Sequence, residues 1–204
     1  MFGKLNKRLL SLVLLIAALA VFTVGCGGSG SKYSVEHPKV QIEMEDGGKM
    51  VLELYPEYAP ETVDNFIKLT EDGFYDGLTF HRIIKGFMIQ GGDPQGNGSG
   101  GSEKTIKGEF AENGFKQNTL KHTRGVISMA RSNLPDSASS QFFIMHGDSS
   151  FLDGKYAAFG KLIEGEDVLD KIASTPVDPN PSMPDEISVP KEVVKIKKVT
   201  VLEK

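Results

Sequence analysis

Beyond residue 38 the apolar residues of this chain come in runs too short for helices, separated by glycine-rich turns. Residues 78–84, 87–91, 125–130, 141–146 and 157–162 are such runs. Ahead of them, residues 39–44 and 49–55 alternate apolar and polar positions around Asp46-Gly47-Gly48, which is the signature of a β-hairpin. Only two stretches carry helical spacing. Pro60-Glu61 opens the first, Val63, Phe66, Ile67 and Thr70 form its apolar face, and Gly73 stops it. The second spans 166–174, with Val168, Leu169 and Ile172 turned inward. Residues 175–190 are proline-rich and read as a loop. Residues 192–202 alternate, with Val193, Lys195, Lys197, Val199 and Val201 on one face and Val194, Ile196 and Thr200 on the other, as a closing strand does. Many short strands and two helices make this a mainly all-β chain, a barrel or a sandwich.

The N-terminus follows different rules. Lys4, Lys7 and Arg8 precede an apolar run, 9–24, that is short for a spanning helix of ~20 residues. The run ends at Val24-Gly25-Cys26, and Cys26 is the sole cysteine, so no internal disulfide forms. This arrangement resembles the lipobox of bacterial lipoproteins, with Thr23 where leucine is usual. The resemblance implies a signal peptide over 1–25, cleavage before Cys26 and a diacylglycerol on its thiol. An uncleaved anchor, or a secretory signal with an incidental cysteine, are the other readings. Residues 26–38 then form the lipid-attachment site and a polar Gly/Ser-rich tether, and 39–204 the folded domain. The expected location is the extracytoplasmic face of a cell membrane, held by lipid.

The formal net charge is −4, and cleavage would remove three cations and no acid. No basic nucleic-acid surface fits that balance. His37, His81, His122 and His146 have no metal-ligand spacing and read as surface or structural residues. Gly96-Asn97-Gly98-Ser99-Gly100-Gly101 formally contains Gly-x-Gly-x-x-Gly, but no helical pattern follows it and it has no βαβ context, which argues against dinucleotide binding. Those glycines suit tight turns beside a ligand. Between residues 80 and 93, Arg82 and Gln90 stand among Phe80, Phe87 and Met88. A guanidinium is seldom placed in apolar company without a partner or a task. The mixture points to an apolar pocket with two polar fingers.

Six blocks, in order, resemble the cyclophilin peptidyl-prolyl cis-trans isomerases: Phe80-His81-Arg82, residues 86–93, residues 98–101, Ser128-Met129-Ala130, residues 140–144 and residues 151–155. The resemblance implies a closed eight-stranded antiparallel β-barrel capped by two α-helices. It implies that Arg82, Gln90 and Phe87 form the catalytic set, Arg82 acting on the prolyl amide and Gln90 holding the substrate backbone. Phe87, Met88, Phe143 and Leu152 would wall a proline pocket. Ala130, Gln141 and Gly98 would follow the peptide groove. Arg131 stands where many relatives have Asn, Phe151 where several have Trp, and Tyr156 where those have His; the last two weigh against tight cyclosporin binding. Phe142 and Ile144, alternating with Phe143, should face the core.

The implied substrate is a proline-containing polypeptide, here an exported one, and the implied state a monomer. The chemistry needs no metal, cofactor or covalent intermediate. Two rival readings use the same groove: a peptide holdase without turnover, and a small-ligand carrier. Arg82 favours the enzyme over both.

Overall fold

The structure, a computed structural model, describes residues 32–204. The expected signal peptide and Cys26 lie outside the described residues. Tyr33–Lys204 forms one packed unit. Its first residues, assigned above to the tether, are docked: Tyr33 packs on the core and its hydroxyl donates to Asp64, and Ser34 donates to the Lys204 carbonyl. Among the described residues no helix is long and apolar enough to cross a membrane.

Eight strands form one antiparallel sheet. In chain order they are β1 (Lys39–Met44), β2 (Lys49–Leu54), β3 (Arg82–Ile84), β4 (Met88–Gly91), β5 (Val126–Met129), β6 (Phe142–Met145), β7 (Ala158–Glu164) and β10 (Ile196–Glu203). In space the order is β10-β1-β2-β7-β5-β6-β4-β3. The eight strands and two helices match the expected architecture, with one difference in how the barrel closes. The ladder is an open curl whose edges are β10 and β3. An isolated bridge between Thr79 and Lys195 spans the gap, with Phe80 N donating to Val194 O (2.9 Å) and Ile196 N to Leu78 O (2.8 Å).

Helix α1 (Pro60–Glu71) buries Thr62, Val63, Phe66, Ile67 and Thr70, and α2 (Glu166–Ala173) buries Leu169, Ile172 and Ala173. Phe66 anchors an aromatic centre, its ring 5.1–5.4 Å from those of Tyr75, Phe142 and Phe159. Each such fully buried ring contributes about 1.5–3 kcal/mol. The first turn of α1 has no local side-chain cap. Glu109, buried, supplies it from elsewhere, accepting Glu61 N (3.0 Å) and Thr62 N (2.8 Å). A carboxylate there also suits the positive end of the helix.

Two expectations need correction. Residues 175–190 are not a loop: β8 (Val177–Asn180) and β9 (Met183–Pro190) form a separate two-stranded hairpin turning at Pro181-Ser182. Pro179, Pro184 and Pro190 mimic a loop composition, yet a free ribbon tolerates proline where its N–H would face outward. The closing strand also lacks one clean alternation. Ile196 and Val199 are both buried because the register slips between Glu43↔Lys198 and Met44↔Ile196. Lys197 is the extra residue of that bulge, and it flips the parity of the strand.

Candidate active site

Antiparallel register gathers the site on the outer face of the sheet. Arg82 on β3 pairs with Gln90 on β4, Gln90 with Phe143 on β6, and Phe143 with Ser128 on β5. These residues form one cross-strand row. The neighbouring row, Ile83, Ile89, Ile144 and Ile127, faces inward and is buried. Phe142 and Ile144 lie in the central core as expected, while Phe143 joins a second cluster with Met88, Val126, Met145, Leu152 and Ala158. That cluster floors the site.

Above it opens a cavity of about 340 Å³ lined by Arg82, Phe87, Met88, Gln90, Ala130, Arg131, Phe143, Phe151, Leu152 and Tyr156. Gly98 and Gln141 line an adjoining cavity of about 230 Å³, which shares Gln90, Ala130 and Arg131. The structure thus brings together every site residue expected in the folded domain. Phe143 meets Tyr156 edge-on, with ring centroids 5.8 Å apart, and Phe87 stacks on the exposed Phe151 at 5.6 Å. Side-chain amides bind the rim. Gln90 Nε2 donates to Gln141 Oε1 (2.8 Å), and Gln141 Nε2 to the carbonyls of Gly98 (3.1 Å) and Gly100 (2.7 Å).

Arg82 sits at the niche edge. Its NH1 donates to Gln90 Oε1 (3.1 Å) and lies 3.8 Å from Met88 Sδ. Its Nε and NH2 donate to Glu186 Oε1 (2.7 Å) and Oε2 (2.5 Å) on β9. Nothing in the sequence marks Glu186, because 104 residues separate it from Arg82 and the segment that carries it has the composition of a loop.

Three further residues have roles that only the structure reveals. Asp93 is buried and accepts N–H groups from Gln95 (2.8 Å), Asn97 (3.0 Å) and Gly98 (2.6 Å), which shapes the loop along the groove. Burial pushes its carboxyl up, but these bonds outweigh that and hold it below the usual range. The turn starts at Gly92, with φ of 81°, where an added Cβ would lie 2.4 Å from Ser140 O. His122 is buried against Phe143, between Asp153 and Ser128. Arg131 acts through its side chain too: its guanidinium lies 4.9 Å from the Phe110 ring and 4.7 Å from the Tyr156 ring, and donates to Lys155 O. A stacked, forked contact of this kind clamps Tyr156 in place.

An apolar niche with a fixed guanidinium and two amides on its rim, on the outside of a curled antiparallel sheet, defines a site for an extended peptide carrying a compact apolar ring. Comparison with known proteins agrees. Residues 39–201 match the family model described as cyclophilin type peptidyl-prolyl cis-trans isomerase/CLD. Peptidyl-prolyl cis-trans isomerase B of Bacillus subtilis is 50% identical over 122 residues, 60% of this chain and 81% of that protein. A peptidyl-prolyl cis-trans isomerase of Helicobacter pylori is 48% identical over 127 residues, 61% of this chain and 75% of that protein. The crystal structure of a cyclophilin-type isomerase of Cryptosporidium parvum superposes with a TM-score of 0.71 at 32% identity, covering 82% of this chain and 99% of its own. The same protein crystallised in the presence of the dipeptide Ala-Pro gives 0.70 at 33% identity, covering 81% and 99%.

The chain belongs to the cyclophilin-type peptidyl-prolyl cis-trans isomerases. It is an enzyme of that class.

Proposed function

We propose that this cyclophilin turns X-Pro bonds of exported proteins by a non-covalent mechanism centred on Arg82. An X-Pro bond resists rotation by ~18–20 kcal/mol because of amide resonance. Twisting it breaks resonance and returns a lone pair to the proline nitrogen. An N–H aimed at that lone pair bonds the twisted state better than the planar one. Each ~1.4 kcal/mol of that preference is worth about tenfold in rate.

The observation that carries this reading is the position of Arg82 NH1. It lies at the niche wall, 3.8 Å from Met88 Sδ, a weak acceptor that a substrate displaces at small cost. Phe87, Met88, Phe143, Leu152 and Phe151 grip the ring. Gln90, with Ala130, Arg131, Gln141, Gly98 and Tyr156 along the groove, holds the flanking backbone. The surrounding apolar walls strengthen the guanidinium contact.

Exchange NMR on an Ala-Pro peptide tests it. Arg82→Ala should retain the fold and lose on the order of 10²-fold or more in turnover. Unchanged turnover defeats the mechanism. A protein that shifts peptide peaks without speeding exchange would be a holdase instead.

The address is the second part of the proposal. The apolar run ending at Cys26 motivates cleavage before that residue, lipidation of its thiol and anchoring at the extracytoplasmic face of a cell membrane. A monomer held there would serve exported clients, whose folding can wait on proline isomerisation. Mass spectrometry of the mature N-terminus should find a diacylglyceryl-modified Cys26. An unmodified, uncleaved N-terminus sinks the anchor.

A further inference from the structure

We infer that Glu186, carried by the β8–β9 hairpin, is a positioning residue that aims Arg82 at the proline niche; the inference rests on the reading of Arg82 given above. A guanidinium has five N–H donors. Two of them, on Nε and NH2, go to the two oxygens of Glu186, and one on NH1 goes to Gln90. The remaining contact of NH1 is the thioether of Met88, on the niche wall. Glu186 itself does not line the niche. Glu186 therefore holds the guanidinium from behind, Gln90 holds it at the niche wall, and the other NH1 donor is opposed only by sulfur.

The arrangement is built rather than incidental. Both side chains are 21% exposed, so the pair is partly shielded from water. The fork is bidentate, the geometry that fixes the plane of a guanidinium. Glu186 is held in turn. The Arg82 hydrogen bonds first, with a smaller effect from the neighbouring Ser188 and Asn180 side chains, keep its carboxyl below the usual range against the effect of burial. Ser188 is fully buried and accepts Asn180 Nδ2 (3.1 Å) across the hairpin. A relay therefore runs from Glu186 through Arg82 and Gln90 to Gln141 and the Gly98–Gly100 carbonyls.

A carboxylate also draws charge from the cation it holds, which opposes catalysis. Orientation outweighs it here. The guanidinium stays ionised in the pair, whereas a misplacement of ~1 Å costs up to 10²-fold. Without Glu186 the arginine has several rotatable bonds and a single strong hydrogen bond, to Gln90, to keep NH1 at the niche.

The experiment compares Glu186→Ala, Glu186→Gln and Glu186→Asp in the full chain, each also combined with Arg82→Ala. It reads kcat/KM by peptide exchange NMR and the Arg82 Nε–H resonance. Glu186→Ala should lower kcat/KM on the order of tenfold. Glu186→Gln, nearly isosteric, should lose less, and Glu186→Asp should recover part of the loss. The Arg82 Nε–H signal should move to the position of free arginine in Glu186→Ala. In the Arg82→Ala background Glu186→Ala should cost nothing further. An unchanged or raised kcat/KM in both Glu186→Ala and Glu186→Gln overturns the inference while leaving Arg82 catalytic. An equal loss in the Arg82→Ala background overturns it as well, because Glu186 then serves only to dock the hairpin. Full turnover in Arg82→Ala alone defeats the mechanism and this inference together.

Discussion

His122 lies parallel to Phe143, with ring centroids 6.0 Å apart and planes 20° from each other, while its two nitrogens are held by Asp153 Oδ1 (3.2 Å) and Ser128 Oγ (3.1 Å). The imidazole thus ties the Phe143 floor of the niche to Asp153, the residue that follows Leu152. Replacing it with alanine removes the stacking partner and strands a buried hydroxyl. His122→Ala should lower unfolding stability by about 2–3 kcal/mol. Urea unfolding measures it, and an unchanged midpoint and slope would contradict the assignment.

Acid should weaken the fold in two stages. Burial holds the imidazoles of His81 and His122 below their ordinary value of 6.5, so the unfolded chain takes up those protons first as pH falls. Their contribution is complete above pH 6.5 and is lost as pH drops through their lower folded values. Asp93, Asp153 and Glu186 are held below the ordinary carboxylate values of 3.8 for Asp and 4.5 for Glu, so their contribution disappears further into the acid range. All five have the same sign. Denaturation midpoints should be flat from pH 8 to 7 and fall steadily below about 6.5. A midpoint that rises between pH 7 and 5 excludes this account.

Glu109 caps a helix that its own neighbours in sequence leave uncapped. Glu109→Ala should cost about 1–2 kcal/mol, the usual scale of a lost helix cap. The remaining folded molecules should turn over substrate normally, because Glu109 lines neither cavity of the site. Thermal unfolding alongside the exchange assay separates the two effects. Loss of specific activity at full folding refutes the capping role.

Phe151 is 63% exposed and makes its ring contact with Phe87 at the mouth of the niche. An exposed ring adds little to stability. Phe151→Ala should change the unfolding free energy by no more than about 0.5 kcal/mol. Peptide binding should weaken by about 0.5–1.5 kcal/mol, roughly two- to tenfold. Titration of a proline peptide followed by NMR reads it, and unaltered affinity means that the ring does not touch substrate.

Much of this protein was legible before any coordinates. Alternation alone separated Phe143 from Phe142 and Ile144, and 3.6-residue spacing marked the buried face of α1. Both signals are local: a side chain's direction follows from its neighbours' dihedral angles within one strand or turn. The six motif blocks marked the residues of the groove, although nothing in their spacing placed Arg82 beside Gln90. That came from the register of β3 on β4.

What the chain alone left open involves partners that meet only after it folds back on itself. Glu186 reaches Arg82, Glu109 reaches Thr62 and His122 reaches Asp153 across 104, 47 and 31 residues. No periodicity encodes such pairs, because a carboxylate's partner depends on which strands become adjacent. The bulge at Lys197 and the hairpin 177–190 were hidden for a related reason. A one-residue slip and a proline-bearing ribbon are chosen by packing against the rest of the sheet, not by local preference. Sequence determined the strands of the main sheet, the two helices and the chemistry offered to the groove; tertiary structure decided which acid stands behind the arginine.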